Sequence, residues 1–469
     1  MTRRTAVLTM AGQALPHAKA NQARQVPRWG ILELSEIQSA KFQHAGRTFP
    51  ITGFQDGPNL WRLRFSPDTE GEWTYTTSTG QSGAFQCVAA EPGNHGPVQV
   101  HDTYHFRYAD GTPYYPFGTT CYGWAHQGDA LESQTLETLR TAPFNKLRMC
   151  VFPKWYAFNH VEPQFYPFEG TDFNPAFFQH LERRIAQLGQ MGIEADLILF
   201  HPYDHWGYSS MPAAMDDRYL RYVVARFGAY RNVWWSLANE WDLMTSKTRA
   251  DFDRFFHIVQ QSDPYGRLRS IHHSNTMYDH SQPWVTHASI QSDDFSKTQE
   301  WLDTFRKPVI LDECKYEGNI PQRWGNLSAQ EMVRRFWLGI ASGVYVGHGE
   351  TYLAPDDVLW WGRGGKLHGE SAPRIAFLRR IIEEGPGGLN PLPNAYYPGA
   401  GKPGEYYLYF LDYHQPAEYT FPLPDTPFHA DLIDPWKMTV SRLEGTYRGK
   451  ALVKLPGSAY LAVRFRKAA

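Results

Sequence analysis

Two periodicities divide this chain. Between about residues 25 and 97, apolar and polar positions alternate with a period of two, and Gly, Pro, Asn and Asp interrupt the runs. Segments 28–34, 61–65 and 72–77 read as strands of a small β-sandwich, and Glu91-Pro92-Gly93-Asn94-His95-Gly96-Pro97 reads as its exit linker. Beyond residue 98 the pattern changes. Apolar runs without alternation recur at 114–119, 146–152, 194–200, 233–239, 268–273, 285–291, 308–312 and 344–347. Such runs, rich in β-branched and aromatic residues, read as parallel strands buried on both faces. Helical periods lie between most of them. Asn174 and Pro175 open one at 175–191, with Phe178, Leu181, Ile185 and Leu188 on one face. Ser328 and Glu331 form a capping-box pattern before another, at 328–340. Past Gly385-Pro386-Gly387-Gly388 the helices stop, and 406–410, 428–433, 451–455 and 460–465 read as strands of a second sandwich that packs on the barrel.

Eight strand–helix alternations fit one closed barrel. A doubly wound sheet calls for a Gly-rich switch-point loop, which the chain lacks. The expectation is an α/β fold: a (β/α)8 TIM barrel flanked by two small β-sandwich domains. Its bounds are an N-terminal extension 1–24, a sandwich 25–97, a catalytic barrel 98–385 and a sandwich 386–469.

The chemistry lies at two strand ends. Val233-Trp234-Trp235-Ser236-Leu237-Ala238-Asn239-Glu240 and Pro308-Val309-Ile310-Leu311-Asp312-Glu313 each close on a glutamate. Barrel active sites form at strand C-termini. Strands four and seven face each other across the mouth, so Glu240 and Glu313 can come to the roughly 5–5.5 Å separation that glycoside cleavage with retention requires. One carboxyl group then serves as acid and later base, the other as nucleophile.

Asn239-Glu240 after strand four, with Glu313 ending strand seven, resembles the retaining glycoside hydrolases of clan A. That resemblance implies Glu240 as acid/base, Glu313 as nucleophile, and Asn239 on the sugar 2-hydroxyl. It also places Arg148 on strand two, where it keeps Glu313 ionised. The whole chain is similar to cellulase-like bacterial barrels with an N-terminal sandwich and a C-terminal sandwich of the collagen-binding type. Gly71-Glu72-Trp73-Thr74-Tyr75, His95-Gly96-Pro97-Val98, Ala109-Asp110-Gly111-Thr112-Pro113-Tyr114 and Gly347-His348-Gly349-Glu350-Thr351-Tyr352 carry that likeness. The C-terminal sandwich reads as structural, and collagen binding is not carried over.

Other polar and aromatic residues gather at the same rim. The candidate substrate-binding set is Asn239, Arg148, His201, Tyr122, Trp124, His272, Gln291, His348 and Trp360. Sequence alone does not choose between His272 and His273 as the inward ring. Aromatic loops carrying Trp155, Tyr156, Phe158, Trp360 and Trp361 suggest an enclosed pocket, hence exo-action on short oligosaccharides or glycosides of plant or microbial origin.

Composition changes little. The net charge is 46 − 48 = −2, which gives no basic field for nucleic acid. No apolar stretch is long enough to span a membrane. Cys87, Cys121, Cys150 and Cys314 lack C-x-x-C spacing and read as buried thiols. Arg3-Arg4 before a short apolar stretch makes a weak export signal; a cytoplasmic location is the first expectation. No metal and no cofactor are expected, the partner is a carbohydrate substrate, and a homo-oligomer is compatible with the sequence. Two rivals remain: a metal-dependent barrel hydrolase built on His201, Asp204 and His205, and a non-catalytic carbohydrate-binding protein.

Overall fold

The computed structural model describes residues 24–355 and 358–468. The candidate export signal lies outside them. The N-terminal alternation folds into two facing sheets. The five-stranded sheet runs in the order Gln25–Pro27, Ser82–Val88, Gly71–Thr77, Ser39–His44, Arg47–Thr52, and the three-stranded one Leu32–Ser35, Leu60–Phe65, Phe54–Gly57. Their inner faces meet through Phe42, Phe65, Trp73 and Phe85, all buried. The strand expected at 28–34 starts later, at Leu32. Trp29 takes a positive φ of 61°, which extended backbone does not allow, and lays its ring against Gly96 of the linker.

An antiparallel unit of Val98–His101, His105–Tyr108 and Pro113–Tyr114 follows. Phe106 on it packs 5.4 Å from the ring of Trp234 and 5.7 Å from that of Tyr345, so it plugs the N-terminal end of the barrel. Tyr114 therefore belongs to this plug and not to the first barrel strand, as the sequence had suggested. Pro116 has no N–H for a ladder, and Phe117 N turns to the side chain of Asn145.

Eight parallel strands then form the barrel: Gly118–Thr120, Lys146–Cys150, Glu194–Ile198, Val233–Ser236, Arg269–Ser270, Ala288–Gln291, Val309–Glu313 and Tyr345–His348. The ladder runs five-four-three-two-one-eight-seven-six. The open seam between strands five and six is bridged by Thr286 N to Arg269 O (2.9 Å) and by His272 Nδ1 with Ser289 Oγ (3.1 Å). Helix starts follow the expected chemistry. Asn174 accepts from Ala176 N at Pro175–Gln190, and Ser328 accepts from Glu331 N at Ala329–Ala341. The reciprocal half of the predicted capping box is absent there, because the Glu331 carboxylate accepts from Arg335 Nε at 2.8 Å instead.

The C-terminal unit has a six-stranded sheet, Asn390–Pro391, Gly399–Lys402, Tyr406–Phe410, Ala462–Lys467, Phe428–Asp434, Thr439–Arg442, and the pair Glu418–Pro422 with Lys450–Lys454. It docks on the barrel helices. Arg334 Nη2 reaches Asp412 Oδ2 at 2.8 Å, and the Arg374 guanidinium lies 3.6 Å from the Trp436 ring centre. All four cysteines are free and buried. Among the described residues no helix is long and apolar enough to cross a membrane.

The barrel interior is ionic where an aliphatic layer is common. Lys146 Nζ sits 2.6 Å from Asp196 Oδ2 and 2.8 Å from Asp312 Oδ1, with all three side chains at most 3% exposed. Arg148 Nη1 lies 3.7 and 3.8 Å from the same two carboxylates. Lys146→Met removes the nearer cation and leaves buried charge uncompensated. The expected cost is about 3–5 kcal/mol, read as a fall in the urea midpoint of barrel unfolding. An unchanged midpoint would show that Arg148 alone balances the pair.

Candidate active site

Strand four runs into Leu237-Ala238-Asn239 and then breaks. Glu240 takes a left-handed backbone (φ 49°, ψ 53°) and opens the short turn Trp241–Leu243. Such a conformation in a glutamate persists only when its surroundings impose it. Here Asn239 N bonds Phe200 O at 2.9 Å and Trp241 N bonds His272 O at 3.0 Å, so both flanks are pinned to neighbouring strands. Glu313 needs no such turn, because it is the last residue of strand seven.

Both glutamates line one cavity of about 310 Å³ at the C-terminal mouth of the barrel. Its other walls include Tyr122, Lys154, Tyr156, Tyr203, Asn239, Gln291, Trp324 and Trp361. A wider groove of about 1030 Å³ lies outside the barrel, along helices Asp129–Thr141 and Ser371–Glu383. It shares no residue with this cavity, and its carboxylates, Glu137 and Glu383, are ion-paired with arginines.

One amide and one phenol link the two acids. Asn239 Nδ2 donates to Glu240 Oε2 at 3.2 Å, while its Oδ1 lies 2.9 Å from Arg148 Nη2 and 3.1 Å from the Tyr122 hydroxyl. Tyr122 also contacts Glu313 Oε1, and with a single proton to give it donates to that charged oxygen. His272 Nε2 stands 3.5 Å from Glu313 Oε1 and 3.1 Å from Gln291 Oε1, with its Nδ1 held by Ser289. His272 is thus the inward ring. His273 turns away, and burial drops its pKa to about 4. Tyr203 donates to Glu240 Oε2.

The two carboxyl groups are driven apart. Burial pushes the Glu240 pKa up and the charge of Glu313 pushes it further, against weaker opposition from Tyr203 and Lys154. For Glu313 burial also pushes upward, but His272, Tyr122 and the field of Arg148 together hold it below the ordinary carboxylate range. Arg148 acts here through its field; its hydrogen bonds go to Asn239 and to Ser236 Oγ (3.3 Å).

Six members of the sequence-predicted set do not line the cavity: Arg148 and His272 stand directly behind its wall, and the other four lie elsewhere. Trp124 is buried on the outer face of strand two, with Nε1 on the Met149 sulfur at 3.3 Å. His201 accepts from Tyr203 N at 3.2 Å and faces Phe152 O at 3.2 Å, so it shapes the turn that delivers Tyr203. Burial lowers its pKa to about 4. Trp360 donates to Thr119 Oγ1 at 2.9 Å, and the neighbouring Trp361 faces the cavity in its place. His348 pairs in register with Thr119, and its Nδ1 lies 2.9 Å from Thr119 Oγ1, so its ring points out between strand and helix. In a strand neighbouring side chains take opposite faces, and unalternated runs hide which is which.

Lys154 was missed. Its ammonium lies 3.8 Å from the Tyr122 ring centre, 4.4 Å from Trp361, 4.5 Å from Tyr203 and 5.4 Å from Tyr156. Burial depresses its pKa, against the pull of Cys150, Glu240 and Glu313. The available signal was a lysine two residues past Phe152, at the end of the predicted second strand.

The metal-hydrolase rival loses its ligands. Asp204 accepts from the backbone N–H groups of Trp206, Gly207, Tyr208 and Ser209, His205 turns to Glu162, and His201 is held as described. The three converge on no common point.

A family model described as "Apiosidase-like, catalytic domain" matches residues 100–383. Models of two domains of unknown function match residues 33–80 and 396–466. No curated protein matches the chain. Among solved structures, a "putative glycoside hydrolase from Bacteroides vulgatus ATCC 8482" is 38% identical, covers 95% of this chain and all of its own, and superposes with a TM-score of 0.91. A glycoside hydrolase family 5 structure from the same organism has 15% identity, 80% and 94% coverage and a TM-score of 0.65, and speaks for the barrel fold. The chain belongs to the apiosidase-like family and is a glycoside hydrolase.

Proposed function

We propose that this chain is a retaining glycosidase that removes a small terminal sugar from short oligosaccharides or glycosides. The family description makes an apiosyl unit the first candidate glycone. The observation that carries the reading is the pair Glu240 and Glu313, which share one cavity while their surroundings drive their protonation apart.

Glu313 attacks the anomeric carbon, and the bond to the leaving oxygen breaks as Glu240 gives that oxygen its proton. The product is a glycosyl ester on Glu313. Glu240, now ionised, takes a proton from water as the water oxygen displaces the ester, which returns Glu313 as carboxylate and Glu240 as acid. Asn239 Nδ2 donates to Glu240, and on this reading it also meets a sugar hydroxyl. The cavity volume, at the low end of ligand pockets, and the aromatic walls Tyr156, Trp324 and Trp361 suit one sugar ring with one face stacked. Exo-action follows from that enclosure. Product profiles over time on a defined oligosaccharide test it: only the terminal sugar appears early, and internal fragments would point to an open-ended site.

The rate follows a bell in pH. Glu313 must be ionised, and its lowered pKa puts the acid limb below the ordinary carboxylate value. Glu240 must be protonated, so kcat/KM falls as pH rises through its raised pKa. The Tyr203 hydroxyl favours ionised Glu240, and Tyr203→Phe is therefore expected to move the basic limb to higher pH. A basic limb that stays in place would detach Tyr203 from the acid/base group.

A further inference from the structure

Behind the eighth strand lies a second group of acids, which this mechanism does not use. Glu317, in the loop after strand seven, pairs in register with Glu350, just past strand eight. His348 is the last residue of that strand. One ligand atom from each of the three lies within 4.8 Å of the other two, and none of the residues is more than 1% exposed.

Two features of this group call for a further partner. First, both carboxylates are buried with neutral donors. Glu350 accepts from His368 N and from Gly369 N at 2.9 Å. Glu317 accepts from Glu370 N (2.9 Å), Ser371 N (3.3 Å), the Ser371 hydroxyl and Tyr352 OH (3.2 Å). Glu317 also stands at the N-terminus of helix Ser371–Glu383, which steadies its charge, whereas Glu350 has two amide donors alone, and a buried carboxylate with so few partners is costly. Second, His348 is half satisfied. Its Nδ1 meets Thr119 Oγ1 at 2.9 Å and its ring stacks on Phe144 at 4.6 Å, yet Nε2 is buried without a partner. A buried ring nitrogen left unpaired is likewise costly.

We propose that Glu317, His348 and Glu350 bind one divalent cation through an imidazole nitrogen and one oxygen from each carboxylate. A single ion resolves both features. One nitrogen with two carboxylate oxygens suits a first-row dication such as Zn²⁺ or Mn²⁺; Ca²⁺ and Mg²⁺ prefer all-oxygen shells. The site departs from the sequence expectation of no metal, and it goes beyond the glycosidase reading because no catalytic step passes through it.

Its place in the chain gives its role. The segment that leaves at Thr351 and returns at Ser371 carries Trp361, a wall of the catalytic cavity. Glu350 stands at its departure, and residues 368–371 close it by donating to the two carboxylates. A cation here clamps both ends of that segment. The other triplet of potential ligands among the described residues, Asp129, Glu132 and His180, is already neutralised: Arg184 Nη2 lies 2.7 Å from Asp129 and its Nε 2.5 Å from Glu132.

The test uses the full chain, purified without a metal-affinity step. Elemental analysis is expected to find Zn²⁺ or Mn²⁺ in equal molar amount with protein. Stripping with EDTA lowers Tm by several degrees, and ZnCl2 or MnCl2 restores it. His348→Gln and Glu350→Gln lose the bound metal and the response of Tm to chelator. Because either variant can fold poorly, the strip-and-restore titration of wild type stands as an independent measurement. Metal-free wild type whose Tm ignores both ions would overturn the proposal, and so would metal that stays bound in both variants.

Discussion

Glu313→Ala is expected to lower kcat/KM by roughly 10⁴-fold or more on any glycoside the wild type cleaves, because the glycosyl ester forms on Glu313, Glu240 is the acid/base, and Asp293 on the same wall is ion-paired with Lys315. The loss is specific to chemistry. Glu313 lies at a strand end with its Oε1 met by both Tyr122 and His272, so truncation opens a small polar gap without exposing core. Azide supplies the missing nucleophile. Sodium azide is expected to restore turnover on an activated aryl glycoside and to leave a glycosyl azide of inverted anomeric configuration, visible by NMR. The experiment also separates the alternatives. Activity that persists in Glu313→Ala would remove the nucleophile from strand seven. A wild type that binds sugars without turning any over would return the non-catalytic reading.

Glu240→Gln carries the second large effect, and its size depends on the leaving group. General acid catalysis contributes about 10²–10⁴-fold, so natural glycosides with poorly leaving sugar oxygens lose activity by that order. A dinitrophenyl glycoside departs without a proton, so glycosylation is spared and the glycosyl-enzyme accumulates as a burst. The basic limb of kcat/KM disappears with it, because the titrating acid has gone. Equal losses on both leaving groups, with the basic limb intact, would mean that Glu240 positions substrate and does not transfer the proton.

Part of the site was readable in one dimension. Val233 to Glu240 and Pro308 to Glu313 are local patterns: an apolar run marks a buried parallel strand, and the residue at its end stands at the rim. The structure places both acids in one cavity. Tyr122, Asn239 and Gln291 reach it too, and Arg148 and His272 lie directly against its wall. The failures share one cause. Trp360 and Trp361 are neighbours of the same type, and the sequence offered no reason to prefer the one that turns inward. His348 ends a strand as Glu313 does, yet faces the helices.

The hydrophobic pattern by itself determined the eight-stranded barrel, the two flanking β-units and the two glutamates, because strand length, apolar runs and their terminal residues are set locally. Tertiary structure alone decided which side chains meet. A parallel strand buried on both faces is apolar throughout, so its sequence carries no alternation to mark inside from outside, and barrel closure fixes that choice. The left-handed turn at Glu240 is likewise imposed by bonds to strands three and five. The cage around Lys154 draws on loops after strands one, two, three and eight, and Glu317 meets Glu350 from two different loops. Contacts of that range exist only once the ring of strands has brought the loop ends together.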